Sequence, residues 1–270
     1  MASMNSGVVG RVPLIAGNWK MNLDHLQSIA FVQKLAWSLK DAKHDFGVAG
    51  AEVAVFPPFT DLRSVQTLIS ADKLDLHFGG QDLSEFDSGA YTGEISGAFL
   101  KALDCQYVLV GHSERRQYHG ETDEQLGRKL AAALKHGLIP VLCVGETAED
   151  LEQHGPSAVP VAQLRAALAG ITGMPNLVIA YEPVWAIGSG LAATPEQAEQ
   201  VAGKLRETLA ELLGADVAAA TRILYGGSVK SGNIAAFMRE SNVDGALVGG
   251  ASLDVTEFAS IARFQKHVGT

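Results

Sequence analysis

The chain has 270 residues, 47% of them hydrophobic and 19% charged, with 30 acidic side chains against 21 basic ones and a net charge of -9. That composition describes a globular protein with a substantial core, and the acidic balance argues against nucleic acid and anionic membrane surfaces as partners. Its two cysteines, Cys105 and Cys143, exclude a disulfide framework and suit a reducing, cytoplasmic setting.

Met1 to Val12 holds no apolar stretch of signal-peptide length and reads as a short disordered lead-in; no stretch elsewhere is long and apolar enough to span a membrane. From Pro13 onward the chain settles into a beat. A short apolar run meets a turn marked by glycine or proline, an amphipathic stretch follows, and then comes the next run. The runs are Pro13–Ala16, Glu52–Phe56, Leu74–Gly79, Tyr107–Val110, Leu138–Val144, Leu177–Tyr181, Arg222–Tyr225 and Gly245–Val248. Between them, Leu62, Val65, Leu68 and Ile69 share one helical face, as do Val201, Leu205, Leu209 and Leu212. Thr122 to Gln125 and Thr194 to Gln197 have capping-box spacing, and Asp254 to Glu257 a related one; Pro195 stands at a first helical position and Gly137 past a helix end.

Strands alternating with helices imply a parallel sheet, because each crossover needs a helix. Several runs are continuously apolar, as strands buried on both faces should be. Eight such units in one chain, with no linker dividing it, predict an α/β fold: a closed (β/α)8 barrel forming a single domain over residues 13–270. An open doubly wound sheet would carry a glycine fingerprint after its first strand, where Gly17-Asn18-Trp19-Lys20 stands instead.

In a barrel the chemistry gathers past the C-terminal ends of the strands. Past the first run come Asn18 and Lys20; past the fourth, Gly111-His112-Ser113-Glu114; past the sixth, Glu182; past the seventh and eighth, Gly226-Gly227-Ser228 and Gly249-Gly250. Two glycine pairs beside helix starts offer backbone N–H groups to a phosphate, which lets an acidic protein bind an anion, and Lys20 adds a full positive charge. His112 opens a helix, and the positive end of the helix dipole disfavours imidazolium and keeps the ring neutral. Glu182 ends a buried strand next to Pro183 and a loop with an apolar body and a glycine-rich end, the arrangement of a catalytic base under a closing lid. The remaining histidines are scattered and form no metal constellation.

Gly17-Asn18-Trp19-Lys20-Met21-Asn22, Val110 to Arg116, Tyr181 to Gly190, Tyr225 to Val229 and Val248 to Leu253 closely resemble the triosephosphate isomerase family, in order from about Pro13 to the C-terminus. The resemblance implies interconversion of dihydroxyacetone phosphate and D-glyceraldehyde 3-phosphate through an enediolate, with no cofactor and no metal. It implies Glu182 as base, neutral His112 as electrophile, Asn18 and Lys20 as stabilisers of the developing oxyanion, and Glu114 as support for that network. The amides of Gly188, Ser228, Gly249 and Gly250 would hold the phosphate. Pro183, Val184, Trp185, Ala186, Ile187, Gly188, Ser189 and Gly190 would form the lid, continuing to about Ala193. It further implies a homodimer through the loop of residues 86–96, with Thr92 reaching the partner's Asn18 and Lys20, and with Gln81 and Asp82 at the interface.

Three features depart from the family pattern. Ser189 stands where threonine is common and Leu191 where lysine is; Asp82 replaces an asparagine; and the Asp41 to Gly50 connection is long. An aldolase-like barrel would need a Schiff-base lysine at a strand end, where only Lys20 stands. A non-catalytic sugar-phosphate-binding or moonlighting barrel would be expected to lack Glu182, His112 or Lys20, and all three are present.

Overall fold

The computed structural model describes residues 10–173, 176–187 and 191–267. Eight parallel strands, β1 (Leu14–Asn18), β2 (Glu52–Phe56), β3 (His77–Gly80), β4 (Tyr107–Val110), β5 (Ile139–Val144), β6 (Val178–Tyr181), β7 (Arg222–Tyr225) and β8 (Gly245–Val248), pair in chain order. Leu14 to Gly17 of β1 pair with Gly245 to Val248 of β8 and close the barrel. Around it run α1 (His25–Asp41), α2 (Leu62–Asp72), α3 (Gly97–Ala102), α4 (Ser113–His119), α5 (Asp123–Lys135), α6 (Ala148–His154), α7 (Ala158–Ala167), α8 (Pro195–Leu213), α9 (Ala215–Ala220), α10 (Ile234–Phe237) and α11 (Val255–Ala262).

The continuous apolar runs serve two cores. Alternate strand residues, among them Leu14, Ala16, Phe56, Leu109, Val141, Ala180 and Leu247, fill the barrel interior. Their neighbours, such as Ile15, Val53, Val108, Leu142 and Ile179, face outward and pack with helix residues including Leu35 of α1, Leu130 of α5 and Leu205 of α8. At the strand starts the interior turns polar. Arg222 Nη1 donates to Glu52 Oε2 at 2.8 Å and Arg222 Nη2 to the Tyr107 hydroxyl at 2.7 Å, while Tyr107 bonds Glu52. Burial alone would raise the Glu52 carboxyl, but the Arg222 charge and the Tyr107 hydroxyl outweigh it and hold Glu52 below its usual value.

Several boundaries differ from the sequence reading. The first strand runs on to Asn18, and the third starts at His77, because Lys73 ends α2 in the left-handed region (φ 50°) and Leu74 belongs to that turn. The capping box at Thr194 has both of its hydrogen bonds. At Thr122 only half forms: its side chain accepts from the Gln125 amide, while the Gln125 side chain reaches across to Glu85. Likewise Asp254 caps α11, but Glu257 turns to the Ser231 amide and hydroxyl. Residues 1–9 of the expected lead-in lie outside the described residues. Arg11 is fastened to the barrel by Asp244 at 2.6 Å and by the carbonyl of Ala219 at 2.8 Å.

Candidate active site

Asn18 closes β1 and its side-chain oxygen accepts the Lys20 amide at 3.0 Å. This Asx-type turn holds Lys20 at φ 53°, a left-handed conformation that costs a side-chain-bearing residue about 1–2 kcal/mol. Gln81 stabilises the same turn, donating to the carbonyls of Lys20 (2.7 Å) and Phe56 (2.9 Å). So fixed, Lys20 extends its ammonium to Glu114 Oε1 at 2.6 Å.

Past β4, Gly111 takes φ 71°, and a Cβ there would lie 2.3 Å from Leu126. The turn delivers His112 to the N-cap of α4, where its Nδ1 accepts the Glu114 amide at 3.2 Å. An imidazole nitrogen that accepts a hydrogen bond leaves the other ring nitrogen, here Nε2, as the donor. That Nε2 faces Glu182 Oε1 at 3.1 Å, and Glu182 Oε2 accepts the Ser113 amide at 3.0 Å. Glu182 is only 2% exposed. Two glycines make room for it: a Cβ on Gly226 would come within 2.9 Å of Glu182 Cγ, and one on Gly145 within 1.7 Å of the Glu182 carbonyl. Cys143 lies behind, fully buried, its thiol pushed well up by burial and then by the Glu182 charge, as befits packing and not nucleophilic work.

Asn18, Lys20, His112 and Glu182 border one cavity of about 250 Å³ together with Ser228, Gly249 and Gly250. That is below the ~300–1,000 Å³ of sites for drug-sized ligands and suits a small substrate. A 3-10 turn begins at Gly250, with Ser252 donating back to the Gly249 carbonyl, so helix-start amides stand at the cavity wall. The strand topology thus gathers the expected residues of β1, β4, β6, β7 and β8 at one mouth.

Of the expected lid, Val184 to Ala186 form a 3-10 turn following Pro183, and Ile187 lines the cavity. Gly188, Ser189 and Gly190 lie outside the described residues. Two anchors of the loop were not among the expected residues. Glu146, fully buried past β5, accepts the Tyr181 hydroxyl at 2.9 Å and Trp185 Nε1 at 2.8 Å, and burial raises its carboxyl above the usual value. At the far end the Tyr225 hydroxyl accepts the Ala193 amide at 3.0 Å.

A second cavity, of about 300 Å³, adjoins the first and shares Asn18, Lys20 and His112. Gln81, Asp82 and Arg115 line its wall. Asp82 bonds Lys129 (2.7 Å) and Arg115 (3.0 Å), and both cations also reach Glu121. Thr92 is exposed at the surface of the third loop.

The sequence model of the triosephosphate isomerase family matches residues 13–265. The chain is 76% identical to a triosephosphate isomerase of Leifsonia xyli over 258 residues, covering 96% of this chain and 99% of the relative. Relatives of the same name from Streptomyces avermitilis and Streptomyces coelicolor are each 54% identical, covering 96% and 94% of this chain and 99% and 98% of their own. By fold, by the residues at the barrel mouth and by these matches, the chain belongs to the triosephosphate isomerase family.

Proposed function

We propose that Glu182 is the base and His112 the electrophile of the triose-phosphate isomerisation that the chain catalyses. Glu182 takes a proton from C1 of dihydroxyacetone phosphate as the C2 carbonyl gains negative charge, and the same proton-bearing carboxyl returns a proton to C2. His112 gives its Nε2 proton to O2 as the enediolate forms and recovers one from the O1 hydroxyl as the aldehyde forms, and the Lys20 ammonium and Asn18 amide stabilise the oxygen charge that develops. The observation that carries this reading is the acceptor role of His112 Nδ1 at the start of α4, which leaves Nε2 as the donor aimed into the cavity. This family is a standard illustration of a helix N-terminus keeping a histidine neutral.

Both Glu182 oxygens are engaged, one facing His112 Nε2 and one accepting the Ser113 amide. Substrate must come between base and electrophile, so binding exchanges the Glu182–His112 contact for contacts to the reacting carbons and oxygens. Ser228, Gly249 and Gly250, with Gly188 from the lid, hold the phosphate. Lid closure excludes water from the enediolate, and the bonds at Glu146 and Tyr225 set the two ends from which the loop swings.

A homodimer accompanies this reading. The second cavity opens beside Lys20, rimmed by Met21 at 95% exposure and Tyr118 at 72%, and the loop of residues 86–96 is stiffened by stacking of Phe86 on Tyr91. These features support insertion of one copy's loop, Thr92 foremost, into the other's cavity; a monomeric mass in solution at working concentration would contradict it. Both cysteines are free and buried, which supports a cytoplasmic setting.

Glu182→Asp tests the base. Withdrawing the carboxylate by one methylene should cut turnover several hundred- to about a thousandfold, on the order of 4 kcal/mol in the barrier. Phosphate-analogue affinity should change little. Equal turnover in the two proteins would remove Glu182 from the chemistry.

A further inference from the structure

Three lysine or arginine side chains line the two cavities at the barrel mouth: Lys20, Arg115 and Lys230. Two of them are neutralised in place. Lys20 is bonded to Glu114 at 2.6 Å, and Arg115 to Glu121 at 2.7 Å and Asp82 at 3.0 Å. Lys230 differs. Its backbone amide donates to Asn233 Oδ1, but its exposed ammonium has no ion pair or hydrogen bond among the described residues. It stands two residues beyond Ser228, on the wall of the cavity that holds Glu182.

The protein as a whole carries a charge of -9, and a triose phosphate is a dianion near neutral pH, so the mean field repels the substrate. Local positive potential at the mouth is what reverses that repulsion. A cation already paired with a carboxylate a few ångströms away projects little field into solvent, whereas an unpaired one projects a full unit charge. From this we propose that Lys230 is an electrostatic capture residue: it draws the substrate phosphate toward the mouth and speeds encounter, without contacting the reacting carbons. The inference rests on the phosphate-mouth assignment above. It applies to the encounter step, and this family is a standard example of catalysis at the diffusional ceiling, where encounter sets kcat/KM.

The test is the ionic-strength dependence of kcat/KM for Lys230→Gln and Lys230→Glu beside the wild type. At about 10 mM salt the neutral variant should lose about fourfold in kcat/KM and the reversed charge about fifteenfold, shrinking below about 1.5-fold at about 0.5 M, where the screening length is only a few ångströms. Turnover at saturation should hold, Lys230→Arg should restore the wild-type slope, and kcat/KM for glyceraldehyde, which lacks the phosphate, should be the same in all four proteins. Wild-type kcat/KM in both Gln and Glu variants at low salt would overturn the proposal. So would a loss that persists undiminished at high salt or that extends to glyceraldehyde, since either would mean a direct contact or a damaged site. These results leave the assignment of the base untouched, because that is read from Glu182→Asp.

Discussion

At Gly226 the space for a side chain is the space that Glu182 occupies. A methyl there would meet Glu182 Cγ at 2.9 Å and the Tyr181 carbonyl at 3.1 Å, while the Gly226 amide stays bonded to that same carbonyl at 2.7 Å. The backbone cannot retreat without breaking β6–β7 pairing, so the carboxylate has to move. Gly226→Ala should therefore lower kcat about a hundredfold, the scale of a 1 Å misplacement of a catalytic group, with fold and melting temperature nearly kept. Wild-type turnover would show that Glu182 tolerates displacement. The same residue scale sets what the sequence could reveal. Glu182 and His112 stand out because each follows a buried run and precedes a recognisable turn or helix start. Glu146 occupies the equivalent place past the fifth run, but Glu149 and Asp150 follow it and make it look like part of an acidic helix start. Only the fold shows that it is fully buried and takes hydrogen bonds from Tyr181 and Trp185. Gln81 is similar: its support of the Lys20 turn spans 61 positions and leaves no local mark.

Among the elements, the strands were legible because both faces are buried, so hydrophobicity runs unbroken through them. Their ends were less so, as Asn18 shows: a polar residue inside a strand reads as the residue after it. Charged residues opening strands two and seven carry no pattern either, yet Glu52 and Arg222 meet inside the barrel across 170 positions. This pair makes a pH prediction. The Glu52 carboxyl lies below its usual value in the folded protein, so its contribution to stability is present above the unfolded value of about 4.3 and is lost as the pH falls through the lower folded value. Glu52→Gln leaves Arg222 buried without its counter-charge, and should cost about 3 kcal/mol at pH 7. The difference from wild type should start to shrink as the pH falls below about 4.3, where the unfolded state protonates first, and should be smallest once the folded-state carboxyl has protonated as well. Denaturant unfolding at the two pH values checks this, and a gap that is constant or widens on acidification would contradict it. The half-formed capping box at Thr122 has the same lesson in smaller form. The spacing fixes the cap, but whether Gln125 turns back or reaches to Glu85 depends on a loop 40 positions earlier.

For the whole molecule, the closed order of eight strands brings residues from Asn18 to Gly250 to one end of one barrel. The departures from the family pattern bear on that convergence unequally. Leu191 is exposed beyond the 3-10 turn of the lid, Ser189 lies outside the described residues, and the Asp41 to Gly50 connection precedes β2 at the opposite end. Asp82 is the departure with structural consequence, since burial raises its carboxyl despite the bond from Lys129, and it sits in the wall of the cavity where a second copy's loop would enter. What the arrangement must do at this scale is move a proton between adjacent carbons by way of a carboxylate. The most direct test is isomerisation in deuterium oxide, with the product read by NMR. A carboxyl that picks up and returns protons exchanges with solvent, so deuterium should appear at the carbon that receives the proton. Product that stays free of deuterium at that carbon through many reversible turnovers at the normal rate would contradict the account.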